Sequence, residues 1–254
     1  MKARPRWLAH AWRLGALLLL CLLALQLVFA ARILLMAVVN PQSTTFQRSE
    51  AWRLLVDKHQ VLWSQDWVGQ DRIADHLKRA VIASEDAGFA VHGGVEWDAI
   101  EKAWDRNQRA EQRAAGQTQP QATRQPARPV AAKLVGGSTL SQQLAKNLFL
   151  SGERTAVRKA QELVLTLMLE GLLGKRRILE IYLNNVEWGE GVFGAQAAAR
   201  HYFGVDAARL GPEQAARLAV MLPAPKRFEK RPGSDYVLGR AATIVARMGA
   251  VELP

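Results

Sequence analysis

Gly136-Gly137-Ser138-Thr139-Leu140-Ser141-Gln142-Gln143-Leu144-Ala145-Lys146-Asn147 opens as a turn and continues at helical spacing. Ser138 or Thr139 can cap this helix, because a hydroxyl there accepts from a first-turn N–H that lacks a partner. Along it Leu140, Leu144, Asn147 and Leu148 share one face, and Gln142, Gln143 and Lys146 share the opposite one. One face is built to pack, the other to grip oxygen atoms. A solvated face is the plainer reading of any single helix. Two adjacent glutamines with a lysine one turn on, beside a Gly-Gly-Ser turn, favour binding.

The same period recurs on both sides. From Asp71, the positions Ile73, Leu77, Ala80, Val81 and Ser84 define an amphipathic helix, with Glu85 at the edge of its stripe. A carboxylate there is drawn partly out of water, which raises its pKa toward the range of a base. Downstream, a helix over about Ala156 to Leu173 places Arg158, Lys159 and Glu162 within one turn. Leu163 to Leu173 is apolar nearly all round and is expected to be buried on most sides. Further helices are predicted over Lys175–Asn185, Ala195–Phe203 and Glu213–Leu222, the last of these being the final well-patterned one. Strand patterns are scarce, and no dinucleotide or nucleotide phosphate loop occurs. The chain reads as mainly α.

The 254 residues carry a net charge of +11, and Lys2, Arg4, Arg6, Arg13 and Arg32 supply five of those charges. The excess left for the rest is modest, so nucleic acid is not required, and aromatic-basic interleaving is missing. Cys21 is the only cysteine, which rules out an internal disulfide or a thiolate metal site. From Leu14 to Ala31 no charge interrupts an apolar run in which only Gln26 is strongly polar, and the run resumes after Arg32. A span needs roughly 20 apolar residues, so a retained transmembrane anchor is favoured over a cleaved signal peptide. Four basic residues ahead of it place the N-terminus in the cytoplasm. Trp52, Trp63 and Trp67 read equally well as interfacial or as core. Asn107 to Val135 has no period and carries Arg109, Arg113, Arg124, Arg128 and Lys133 against Glu111. It reads as a mobile basic loop.

Two carboxylates in different surroundings, Glu85 and Glu162, suit sugar transfer, and clustered Arg and Lys suit a phosphorylated leaving group. Five ordered blocks then resemble the peptidoglycan glycosyltransferases of family 51, and the single-domain layout resembles their monofunctional biosynthetic members. They are Glu85-Asp86-x-x-Phe89-x-x-His92-x-Gly94; Gly137 to Asn147; Arg158-Lys159-x-x-Glu162; Ile178 to Gly194; and Ala219-Val220-Met221-Leu222-Pro223-Ala224-Pro225. The resemblance implies a mainly α, lysozyme-like two-lobed glycosyltransferase domain with an N-terminal transmembrane helix. The expected layout is a cytoplasmic basic tail over 1–13, an anchor over 14–39 and a periplasmic domain over 40–254, with the loop at 107–135. It further implies polymerisation of lipid II in the bacterial inner membrane, with release of undecaprenyl pyrophosphate. By the family pattern Glu85 is the general base and Glu162 assists at the donor pyrophosphate. Lys146, Arg154, Arg158 and Lys159 neutralise the departing charge, and Asp86, Ser138, Gln142 and Gln143 contact substrate. A divalent cation, Mg or Mn, is often needed in this family, although no block here has ligand spacing of its own. The implied partners are lipid II, the growing glycan, membrane lipids and cell-wall synthesis proteins of division or elongation.

A lysozyme or lytic transglycosylase would share the fold and one glutamate but has no use for a pyrophosphate-binding cationic cluster. A membrane-anchored scaffold without activity would be expected to lack one glutamate, and both are present. No penicillin-binding domain is expected within this length.

Overall fold

Helix caps set the frame of the structure, a computed structural model that describes residues 6–97, 101, 105, 108–109, 138–153 and 155–254. Helix α1 (Arg6–Leu35) is the apolar one, and its stretch His10–Leu35 is long and apolar enough to cross a bilayer. Helix α2 (Thr45–Lys58) begins at Thr44, whose hydroxyl accepts from Gln47 N while the Gln47 amide accepts from Thr44 N. Helix α3 (Asp75–Glu85) follows a single 3-10 turn at Gln70–Arg72. Helix α4 (Leu140–Phe149) is capped by Thr139 rather than Ser138, in a capping box with Gln142. Helix α5 (Ala156–Leu172) is capped by Thr155, and α6 (Lys175–Asn185) leaves from Gly174.

Strands β1 (Ser64–Gln65), β2 (Glu187–Gly189) and β3 (Val192–Phe193) form a small sheet in the order β1-β3-β2. β1 runs parallel to β3, and β2 antiparallel to it. At the hairpin, Gly191 has φ +73, and a Cβ there would lie 2.5 Å from the Leu62 carbonyl oxygen, so no other residue fits without backbone movement. Trp188 is fully buried and donates from its indole to Leu218 O at 3.1 Å. That bond satisfies the polar end of the largest side chain in the core.

Helix α7 (Ala195–Phe203), α8 (Pro212–Met221), the short α9 (Pro225–Phe228) and α10 (Asp235–Met248) complete the chain. The helices gather in two sets. In one, α3, α8 and α10 pack on one another; in the other, α4 packs on α2, α5 and α6, and α1 lies along α5. The fold is mainly α, as expected.

Some expectations need correction. Glu213–Leu222 is not the last patterned helix, because α10 follows and buries Val237, Ala241, Ile244 and Met248 at helical spacing. The second half of α5 is not buried on most sides: it buries Leu165 and Leu169 but exposes Val164, Leu167 and Leu172. Trp52 and Trp63 are exposed and not core, while Trp67 is half-buried beneath the Arg177 guanidinium. Of the 107–135 segment only Gln108 and Arg109 are described, both helical, so the mobile-loop expectation lies outside the described residues.

Candidate active site

A cleft of about 490 Å³ opens between α2, α4 and α5 and is lined by Ser138, Gln142, Gln143, Lys146, Arg158, Lys159 and Glu162. Seven of the ten expected site residues therefore share one wall system. Asn147, assigned to the packed face from spacing alone, lines the cleft too, as do Phe46 and Ser49 of α2. The buried face of α4 is wider than its apolar stripe, since Ser141 and Gln142 are buried as well, and α4 packs against α2, α5 and α6.

Glu85 ends α3, and its carboxylate accepts from the Gln143 side-chain amide at 3.0 Å. The other end of that amide accepts from the Tyr182 hydroxyl at 3.0 Å. Burial pushes the Glu85 pKa up and the neighbouring Asp86 adds to this, while the Gln143 bond and Lys146 act the other way. Tyr182 is wholly buried, and burial holds its phenol far above the usual range. It acts as a fixed neutral donor.

Asp86 turns inward. One carboxylate oxygen pairs with His92 Nε2 at 2.7 Å and the other accepts from Leu140 N at 2.9 Å. Since His92 Nδ1 accepts from Gly94 N, the ring proton sits on Nε2 and the imidazole donates to Asp86. Asp86 thus ties the end of α3 to the first turn of α4, where the helix dipole favours an anion, and it does not line the cleft. Thr139 Oγ1 donates to Gly94 O at 2.6 Å, joining the same two blocks.

Glu162 is buried, and its two oxygens take Arg158 at 2.9 Å and the Lys159 ammonium. The Arg158 Nε is buried and has no partner among the described residues. Burial also pushes the Lys146 pKa down; Glu162 and Glu85 oppose this, and Arg158 and Lys159 reinforce it. Lys146 therefore feels both carboxylates. Arg154 lies outside the described residues. Sequence reasoning missed Tyr182, whose position in the fourth block was the only available signal.

A mainly helical domain in two sets of helices, with Glu162 among the cations of its cleft and Glu85 bonded behind the cleft's Gln143, defines a lysozyme-like sugar-transfer class. The transglycosylase family model matches residues 56–128 and 120–249, and the chain belongs to this family. The chain is 48% identical to the biosynthetic peptidoglycan transglycosylase of Paraburkholderia phytofirmans over 250 residues, covering 98% of this chain and 94% of that one. It is 49% identical to the protein of the same description from Burkholderia multivorans over 249 residues, covering 98% and 92%.

Proposed function

We propose that this chain is a single-pass inner-membrane peptidoglycan glycosyltransferase that polymerises lipid II on the periplasmic side. The observation that carries this reading is the division of labour in the cleft. Glu85 is poor in water and has a raised pKa, while Glu162 is saturated by two cations. Glu85 takes the proton of the acceptor GlcNAc 4-hydroxyl as that oxygen attacks C1 of the donor MurNAc with inversion. The C1–O bond to the pyrophosphate breaks, and undecaprenyl pyrophosphate leaves. Lys146, Arg158 and Lys159, which line the cleft, meet the charge that grows on it. Glu162 holds Arg158 and Lys159 in place. Ser138, Gln142 and Gln143 hold sugar and phosphate oxygens, and Arg154 is assigned to the same anion by resemblance.

A lytic enzyme would gain nothing from those cations, so synthesis is the better reading. The basic residues ahead of α1 favour a cytoplasmic N-terminus. Division or elongation synthesis proteins remain proposed partners, by resemblance alone. A divalent cation, Mg or Mn, is proposed by resemblance alone; at a phosphate site one or two carboxylates with the substrate's own oxygens would hold it, and the described residues build no all-protein cage for it. No group of three or more His, Cys, Asp or Glu converges among them, and Glu85, Asp86 and Glu162 already hold partners. No step is routed through such an ion.

The test is incubation of the full chain with labelled lipid II, beside Glu85→Gln. The wild type should make polymer. Glu85→Gln should lose about 10²–10⁴-fold in rate at unchanged melting temperature, as removal of a general base does. Near-normal turnover in the variant would remove Glu85 from the role.

A further inference from the structure

Gln26 is the one strongly polar side chain between Leu14 and Ala31, in the C-terminal third of that run, toward the folded domain. An amide in hydrocarbon is costly unless its hydrogen bonds are made within the protein. Here they are made reciprocally: Gln26 Nε2 donates to Gln161 Oε1 at 2.9 Å, and Gln161 Nε2 donates to Gln26 Oε1 at 3.1 Å. The contact continues along α1. Phe29 meets Phe149 edge-on at 5.4 Å, Arg32 lies over that same ring, and Ile33 and Met36 are buried. Arg177 closes the end, donating to Met36 O and to the Asn40 side chain. The anchor is therefore docked on α4, α5 and α6 and is no loose tether.

Gln161 directly precedes Glu162, the residue that holds Arg158 and Lys159. Apolar packing between helices in lipid is weakly directional, whereas a two-bond amide pair fixes one register. Slipping α1 by a single helical turn would move it about 5 Å along its axis. The polar headgroup of a lipid-linked donor sits at a depth set by the bilayer. The cations that meet it must sit at that depth too. We infer that Gln26 is a positioning residue: its pairing with Gln161 sets the depth, relative to the membrane, of the turn bearing Arg158, Lys159 and Glu162. What that depth is for rests on the lipid II reading above; the depth itself does not.

The test uses the full chain in liposomes, as wild type, Gln26→Leu, Gln161→Leu and the double variant. A fluorophore on Val157→Cys, in a Cys21→Ser background, reports the depth of the first turn of α5 by lipid-borne quenchers. Gln26→Leu should change the quenching, and unchanged quenching would overturn the inference whatever the activity. With lipid II in liposomes, kcat should fall about three- to tenfold, the scale of two interhelical hydrogen bonds. With a short-chain substrate in detergent, where bilayer depth has no meaning, it should hold. An equal loss in both settings would show a merely structural role and overturn the inference. The double variant should be no worse than either single one, and additive losses would overturn the pairing. A depth shift on Gln26→Leu together with a wild type that never polymerises lipid II would sink the proposed function and leave the positioning intact.

Discussion

Glu85 owes its character to a chain of two hydrogen bonds that ends at a buried phenol. The Tyr182 hydroxyl fixes the Gln143 amide, so that its NH₂ faces Glu85 and holds the carboxylate pKa down against the larger effect of burial. A base must be deprotonated, so the rate should rise with pH as Glu85 loses its proton, at a pH above the ordinary carboxylate range. Tyr182→Phe frees the amide to turn its oxygen toward Glu85, which removes the bond that favours the charged form. We expect the acidic limb of the pH–rate profile to move to higher pH in this variant, with the maximal rate less affected. A limb that stays put would mean that Gln143 is held by something other than Tyr182. Asp86 belongs to the same neighbourhood but serves the frame, since both of its oxygens are spent within the fold.

Between elements, a few close approaches hold the cleft open. Gly94 has φ +87, and a Cβ there would lie 2.7 Å from Glu170 Cγ and 2.9 Å from Thr166 Cγ2, so the glycine lets the first block lie against α5. Gly94→Ala should cost about 1–3 kcal/mol from the backbone strain alone, read as a lower denaturation midpoint, and should lower activity by displacing α5. An unchanged midpoint would show that α5 gives way freely. A second site is Glu187 on β2, buried, with one oxygen that has no hydrogen bond among the described residues and only the Lys226 ammonium 3.7 Å away. Burial raises its pKa to about 7; Glu50 and Glu229 add to this, and Lys226 and Arg53 oppose it. The folded protein therefore keeps a proton that the unfolded chain, with an ordinary carboxylate near 4.5, has released. Its contribution is full below that lower value and is lost as pH rises through about 7, a span worth roughly 3 kcal/mol. Glu187→Gln should flatten the fall in melting temperature between these two pH values. A fall of the same size in the variant would assign it to another group.

At the scale of the molecule, α1 and α5 present one continuous greasy side. Val157, Val164, Leu167 and Leu172 of α5 are exposed beside a helix able to cross a bilayer. A patch of that kind on a folded domain marks a contact surface, and with an apolar helix alongside, we propose a bilayer as the surface it meets. Leu167→Ser with Val164→Ser should lower polymerisation in vesicles several-fold while leaving turnover in detergent and the melting temperature nearly unchanged. Equal activity in both settings would place this face in water.

Periodicity, caps and composition were enough to determine the helices from α3 to α8, the apolar span, and the placing of Glu162 within a turn of Arg158 and Lys159. All of these are local, readable within a few residues of one another. The α10 helix is just as legible, through Val237, Ala241, Ile244 and Met248 at helical spacing. What only the tertiary structure decided are pairings between positions far apart in the chain: Tyr182 to Gln143 to Glu85, Asp86 to Leu140, Gln26 to Gln161. The same holds for Glu187, which sequence leaves as one more surface carboxylate and packing buries. A hydrogen bond or a lost hydration shell depends on which helix faces which, and sequence spacing fixes only the face within a helix, never the neighbour across from it.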